Sequence, residues 1–191
     1  MINLEKFTGV AWLYLKNVIS PGDVVIDATA GNGNDTLFLA ELVGDHGKVY
    51  AFDIQEDALK ATLEKLKKAS LDQRVTLIYD SHDQVNKYVE VSIAAAVFNL
   101  GYLPGGDKNI ITRPETTLRA LQDCYKLLKP GGLITIAVYV GHAGGELERQ
   151  LVEQYLEKIP DREGFVIKHE YINRPKTYPK LYVLGKRRSV V

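Results

Sequence analysis

The chain has 191 residues, about one domain's worth, and its 46% hydrophobic content excludes a disordered tail or linker. Its 24 Lys and Arg residues balance 24 Asp and Glu residues, so no global field draws it to nucleic acid or to an anionic membrane, and any such attraction is local. Residues 168–188 carry seven basic side chains against Glu170 alone, which leaves 17 basic and 23 acidic residues elsewhere and makes the C-terminal edge the basic one.

Leu4, Phe7, Val10, Ala11, Leu13, Tyr14 and Val18 recur at helical spacing until Ser20-Pro21-Gly22 stops the pattern. Residues 23–28 (DVVIDA) form a short β-branched run without polar alternation, as expected of a strand covered on both faces of a parallel sheet. A helix over 34–43, a strand over 48–53, a helix over 56–69 and a strand over 74–79 complete a βαβαβ unit. A short helix at 82–88 precedes a strand at 92–98. A loop with Pro104-Gly105-Gly106 then leads to a helix over 114–128, a strand over 133–140 and a helix over 145–158. Two last runs, 165–171 and 181–186, flank a polar loop with prolines and predict a closing antiparallel hairpin, with Gly164 marking its start. Seven strands with intervening helices predict an α/β fold, a Rossmann-like doubly wound sheet in a single domain spanning 1–191.

The single cysteine, Cys124, has no partner for an internal disulfide, and the first residues lack the basic head and apolar core of a signal peptide. A cytoplasmic, reduced protein is expected. Charged or turn residues interrupt every apolar run before the ~18–20 residues of a membrane span, so no membrane partner is expected.

Chemistry concentrates first between the first strand and the second helix, in Asp27-Ala28-Thr29-Ala30-Gly31-Asn32-Gly33-Asn34-Asp35. Gly31 and Gly33 permit a tight turn and close approach of backbone to a ligand. Asp53 ends the second strand 20 residues after Gly33, where a carboxylate can accept both hydroxyls of a ribose, so the pair implies an adenosine-type ligand. The dinucleotide fingerprint G-x-G-x-x-G would need glycine where the chain has Thr36. An ammonium-bearing tail suits the acidic loop better than a pyrophosphate does, because Asp27 could accept from it directly or through water.

The pattern Asp27-x-Thr29-x-Gly31-x-Gly33 resembles the D-x-G-x-G-x-G loop of class I S-adenosylmethionine-dependent methyltransferases, with Thr29 in place of the first glycine. Asp80-Ser81-His82 after the third strand and Leu127-Leu128-Lys129-Pro130-Gly131-Gly132 before the fifth are similar to that family's adenine-side residues and its turn. Asn99-Leu100-Gly101-Tyr102-Leu103-Pro104 has the N-x-x-Y spacing of the N-P-P-Y motif of amino-group methyltransferases. There the Asn accepts hydrogen bonds from the target amine and the aromatic ring stacks on the base. The segments DATAGNGNDT, NLGYLPGGDK, YVGHAGGE and NRPKTYP together resemble the small methyltransferase family long labelled rRNA methylases, whose characterised members look like tRNA wobble-uridine enzymes. These convert 5-aminomethyl-2-thiouridine to its 5-methylaminomethyl form.

The resemblance implies S-adenosyl-L-methionine as cofactor, held by Asp27, Thr29, Gly31, Asn32, Gly33, Asn34, Asp35, Thr36, Asp53, Gln55, Asp80, Ser81, His82 and Asn99. Asn99 and Tyr102 are the catalytic candidates, and His142 and Asp107 are two alternatives for taking the amine's proton. Arg174, Lys176, Tyr178 and Lys180, with Tyr171, are expected to hold the tRNA anticodon region by phosphate contacts and base stacking. His46 and His169 read as surface residues. The four histidines and one cysteine show no metal-ligand spacing, so no metal is expected. Self-association as a homodimer is left open. The competing readings are a methyltransferase acting on rRNA or on a small amine, and a non-catalytic RNA-binding protein of the same fold. An NAD-dependent dehydrogenase is a weaker third.

Overall fold

The computed structural model describes residues 5–103, 105–107 and 110–188. Its elements in chain order are α1 (Phe7–Val18), β1 (Val24–Asp27), α2 (Asn34–Val43), β2 (Lys48–Asp53), α3 (Glu56–Lys68), β3 (Val75–Tyr79), β4 (Ile93–Leu100), α4 (Pro114–Leu127), β5 (Leu128–Val138), α5 (Gly145–Leu156), β6 (Gly164–His169) and β7 (Lys180–Lys186). The strands form one seven-stranded sheet in the order β3-β2-β1-β4-β5-β7-β6. Strands β1 to β5 run parallel, and β7 lies antiparallel to both β5 and β6, as the closing hairpin predicted.

Successive strand residues point to opposite faces, and both faces are covered over β1, β4, β5 and β7, which is why these strands lack polar alternation, while the edge strand β6 is exposed. Ile26, Phe52, Ala96, Phe98, Ile134, Ile136 and Tyr182 enter one core with Leu121 and Cys124 of α4 and Val152 and Leu156 of α5. Their neighbours Val25, Ala51, Ala95, Val97, Leu133 and Val183 enter the other with Leu15 of α1, Leu39 of α2 and Leu59 and Leu66 of α3. Each large side chain so buried contributes roughly 1.5–3 kcal/mol relative to exposure, and the two layers together fix where every strand ends. Among the described residues no helix is long and apolar enough to cross a membrane.

The chain steps outward from β1 to β2 and β3, then returns past β1 to β4. The strand order therefore reverses between β1 and β4, and the crevice beyond their carboxyl ends is the expected ligand position in such a sheet.

Some boundaries differ from the sequence expectations for physical reasons. The first helix begins at Phe7, while Leu4 lies outside the described residues. The fourth strand continues through Asn99 and Leu100, which pair with Ala137 and Val138. The fifth starts early, at Leu128, because that residue pairs with Ile93; the register then shifts across the Pro-Gly-Gly turn, where Gly131 has φ +82°. The segment His82–Lys87 is a 3-10 helix.

Candidate functional site

A cleft of about 1280 Å³ opens beyond the carboxyl ends of β1, β2, β4 and β5. Its floor is the loop between β1 and α2. Gly31 takes φ +51° and Gly33 φ +74°, and a Cβ on Gly33 would lie 2.9 Å from the Thr62 backbone, so this turn packs directly on α3. Gly31 is held from both sides: its N–H donates to Asp53 Oδ2 at 2.8 Å and its carbonyl accepts from Thr62 Oγ1 at 3.1 Å. The other Asp53 oxygen accepts from Gln55 N–H at 2.9 Å, and burial raises this carboxyl above its ordinary range. Lys65 Nζ reaches over from α3 to Asn32 O and Asn34 Oδ1 at 2.6 and 2.5 Å, tying the far side of the loop.

On the β3 side, His82 Nδ1 lies 3.1 Å from the Ala28 carbonyl, and a carbonyl can only accept. The proton is therefore on Nδ1 and Nε2 keeps its lone pair. Burial lowers the pKa of this histidine, so the neutral ring predominates at pH 7. Nε2 is buried with no hydrogen-bond partner among the described residues, on a side chain that lines the cleft. Asp80 accepts from Ser81 N–H at 2.7 Å and from Tyr88 Oη–H at 2.9 Å, which anchors the same rim. A glycine bend and a half-buried carboxylate, with His82 farther along the same wall, fit an adenosine whose ribose faces Asp53.

The opposite wall is built around Asn99 at the end of β4. Its N–H donates to Thr29 Oγ1 at 2.8 Å, joining β4 to the glycine loop, and its Nδ2 donates to Asp35 Oδ2 at 2.8 Å. Trp12 Nε1 of α1 donates to the other oxygen, Oδ1, at 2.5 Å, while the Trp12 ring stacks on Phe38 with centroids 4.2 Å apart. Asn99 Oδ1 receives no hydrogen bond from any described residue. Tyr102 and Tyr139 line the same cleft, and a Tyr102–Ile111 bridge pairs the two ends of a flap whose described residues are 101–103, 105–107 and 110–112. The flap is tied down from α5: Thr112 Oγ1 accepts Gly101 N–H at 2.9 Å and donates to Glu148 Oε2 at 2.6 Å, and Thr117 Oγ1 donates to Glu148 Oε1 at 2.7 Å. Leu103 on this flap packs against Gly31, so the two walls meet across the cleft.

The family model described as "Putative rRNA methylase" matches residues 49–185. This chain belongs to that family. A tRNA (mnm(5)s(2)U34)-methyltransferase, chloroplastic, of Arabidopsis thaliana is 41% identical over 195 residues, covering 97% of this chain and 71% of that protein. A crystal structure described as a putative rRNA-methylase from Clostridium thermocellum superposes with TM-score 0.93 at 42% identity, covering 96% of this chain and 99% of that one. A second, of a putative methyltransferase from Streptococcus mutans in complex with SAH, gives TM-score 0.87 at 39% identity over 97% of this chain and 99% of that one.

As an rRNA-methylase family member, the chain distributes its expected site residues unevenly. Thr29, Gly31, Asn32, Asn34, Asp35, Asp53, Gln55, Asp80, Ser81, His82, Asn99 and Tyr102 all line the cleft. Asp27 and Thr36 do not: both are fully buried, and Asp27 accepts from Thr29 N–H at 3.1 Å and Thr36 Oγ1–H at 2.6 Å. Asp27 therefore shapes the loop instead of meeting a ligand's ammonium. Gly33 packs beneath, on Thr62. His142 is a correction of a different kind. It does not line the cleft: its ring stands edge-on to Tyr102 at 6.1 Å and its Nδ1 lies 3.0 Å from Ala143 O. Asp107 is exposed on the flap, outside the cleft wall, and Pro104 lies outside the described residues.

The basic loop is corrected in part. Lys180 is buried and paired with Glu170 at 3.0 Å, because the β7 strand it opens lies inside the sheet. Tyr171 stacks on Phe7 of α1 at 4.6 Å, and Tyr178 stands edge-on to Tyr171 with the Arg174 guanidinium 5.6 Å from its ring. Arg174 and Lys176 stay exposed, and Thr177 and Pro179 carry the loop to the cleft mouth. His169 is half-buried, its Nε2 3.0 Å from Tyr14 Oη, not a free surface residue. The sequence reading missed Trp12 of α1, Tyr139 just past β5, Arg113 at the N-cap of α4 and Glu148 of α5. None carries a local motif, and only the fold brings them together.

Proposed function

We propose that this chain methylates the exocyclic amine of 5-aminomethyl-2-thiouridine at the wobble position of tRNA, with S-adenosyl-L-methionine as donor. The observation that carries this reading is the 41% identity, over nearly the whole chain, to a plant enzyme named for that modified uridine. The cleft supports it, because it is lined by Asn99, whose carbonyl oxygen takes no hydrogen bond from the described residues, and by two tyrosines, a combination suited to an amine on a planar base.

When bound, the donor supplies an electrophilic methyl group on a sulfonium. Asp53, beside the Gly31 turn, would hold the ribose hydroxyls, and His82 lies on the side of the cleft where the adenine would sit. Asn99 Oδ1 accepts one N–H of the substrate amine, which aims the nitrogen lone pair into the cleft. With the donor bound, the amine nitrogen would take the methyl group as the C–S bond gave its electrons to sulfur, and the proton the amine then loses would pass to water. Most of the acceleration in such a displacement comes from holding the reacting atoms in line and excluding water, which asks for positioned hydrogen bonds more than for a strong base. Tyr102 and Tyr139 flank the base, while Arg174 and Lys176 meet phosphates of the anticodon arm. The cytoplasm is the compartment we infer, although the Arabidopsis relative is named as chloroplastic.

The test is methyl transfer by the purified protein into two tRNA preparations, one bearing 5-aminomethyl-2-thiouridine and one lacking the aminomethyl group, read by nucleoside mass spectrometry. Conversion to the 5-methylaminomethyl nucleoside in the first alone is expected. Incorporation only into rRNA or a free amine overturns the proposal in favour of another methyl acceptor, and cofactor binding without turnover on any acceptor favours a non-catalytic RNA-binding protein.

A further inference from the structure

An asparagine amide presents an oxygen acceptor and an NH₂ donor that are nearly the same shape. Turned one way, Asn99 accepts an amine N–H; turned the other, it offers a hydrogen to a nitrogen whose lone pair must remain free. Something must choose. The Asp35 carboxylate lies 2.8 Å from Asn99 Nδ2, and an ionised carboxylate can only accept, so the NH₂ group is drawn to it and the oxygen is left for the cleft.

Asp35 is itself held by a group remote from the reaction. Its second oxygen accepts from Trp12 Nε1 at 2.5 Å, and the indole is fixed by its stack on Phe38, one turn along the same helix as Asp35. Burial is the largest influence on the Asp35 carboxyl and raises its pKa, and the two donors, one on each oxygen, work against that rise. Asp35 is only 9% exposed, and Thr36, the next residue, is tied to Asp27 at 2.6 Å, so the start of α2 has little freedom to turn away.

We propose that Asp35, locked by the Trp12 indole, is the positioning residue that sets the Asn99 amide in its amine-accepting orientation. The inference rests on the amine-methylation reading above and deepens it. It gives Asp35 a task separate from holding the cofactor. It also explains a buried acceptor pair spanning α1, α2 and β4 that packing alone would fill with apolar side chains.

The experiment compares wild type with Asp35→Asn, Trp12→Phe, Asn99→Ala and the Asp35→Asn/Asn99→Ala double variant in methyl transfer to aminomethyl-bearing tRNA, with SAH binding measured by calorimetry. Asn at position 35 cannot accept from both donors, so kcat is expected to fall on the order of 10²-fold, the scale of a misaligned reacting group. The tRNA KM and the SAH Kd are expected to stay within about threefold of wild type, since an interaction felt only at the reacting nitrogen moves kcat alone. Trp12→Phe keeps an aromatic ring on Phe38 but removes the donor, and about a tenfold loss in kcat is expected from one hydrogen bond to a charged group. Adding Asp35→Asn to Asn99→Ala is expected to cost nothing further, because Asp35 acts through the missing amide.

Trp12 is the only tryptophan of the chain, so its emission reads the contact directly, and it is expected to shift in Asp35→Asn. Additive losses in the double variant, an SAH affinity that falls in step with kcat, unchanged Trp12 emission, or wild-type kcat in both single variants would each overturn the proposal while leaving the amine reading intact. A wild-type protein that fails to methylate the aminomethyl tRNA refutes the reading and the proposal together.

Discussion

The Asp53 carboxylate accepts the Gly31 N–H at 2.8 Å, so the residue expected to grip a ribose also braces the loop beneath it. Each Asp53 oxygen takes one backbone N–H, from Gly31 and Gln55, and keeps lone pairs for a sugar hydroxyl. Asparagine at this position can satisfy only one of the two donors. Asp53→Asn is therefore expected to weaken SAH binding about 10- to 100-fold, the worth of a charge-assisted hydrogen bond. Isothermal calorimetry checks this, and an unchanged affinity would remove Asp53 from the cofactor site.

Two glycines separate backbone strain from steric contact. Gly33 has φ +74°, and an added Cβ would stand 2.9 Å from the Thr62 Cα, which cannot move without α3. Gly22 has φ +91° with nothing within 4 Å of an added Cβ. Gly22→Ala is expected to cost about 1 kcal/mol from the left-handed conformation alone. Gly33→Ala is expected to cost roughly 2–4 kcal/mol, strain and overpacking together. Urea denaturation of the two variants measures the difference, and equal losses would refute the contact with Thr62.

These examples show which parts of the site local sequence could reveal. The order of strands and helices was legible because burial on both sheet faces leaves continuous apolar runs, and Gly31, Gly33 and Asp53 were legible because a turn and a strand end leave marks in a short window. The role of Asp27 was not. A carboxylate before a glycine loop reads the same whether it faces a ligand or the Thr36 hydroxyl, and only the buried start of α2 decides. Lys180 read as an RNA-facing cation because a charge in a polar loop normally points outward, yet β7 lies between β5 and β6 and draws its first residue inside. Trp12 and Glu148 carried no signal, since each reaches the site from a helix whose own pattern reports only its core-facing stripe.

Asp27 also makes stability depend on pH. Burial, and then the charge of Asp35, push its carboxyl from 3.8 up to about 7, with a smaller contribution from Asp53. The folded state thus holds a proton that the unfolded chain releases above its ordinary carboxylate range, so folding stability through this group falls as pH rises from about 4 to about 7 and is level beyond. In Asp27→Asn the contribution vanishes, while the Thr36 hydroxyl can still pair with the amide. Thermal unfolding at a series of pH values should show the variant gaining on wild type across that interval. A constant difference between the two would mean that Asp27 does not titrate there.

The basic loop predicts a division of labour among cations that a charge count would treat alike. Arg174 and Lys176 are exposed, whereas Lys180 is buried on Glu170 at 3.0 Å. On single strands each phosphate contact adds about −0.7 to the slope of log affinity against log salt, and on duplex about −0.9. Replacing both Arg174 and Lys176 with Ala should weaken tRNA binding and flatten that slope by roughly 1.4–1.8, with melting temperature nearly unchanged. Lys180→Ala leaves Glu170 without its buried partner, so it should lower the melting temperature and leave the salt slope as in wild type. Filter binding over a range of salt concentrations, paired with thermal melts, measures both. If Lys180→Ala flattened the slope as much as the double variant did, the ion pair with Glu170 would have to open when RNA binds, and the loop would be a different interface from the one drawn here.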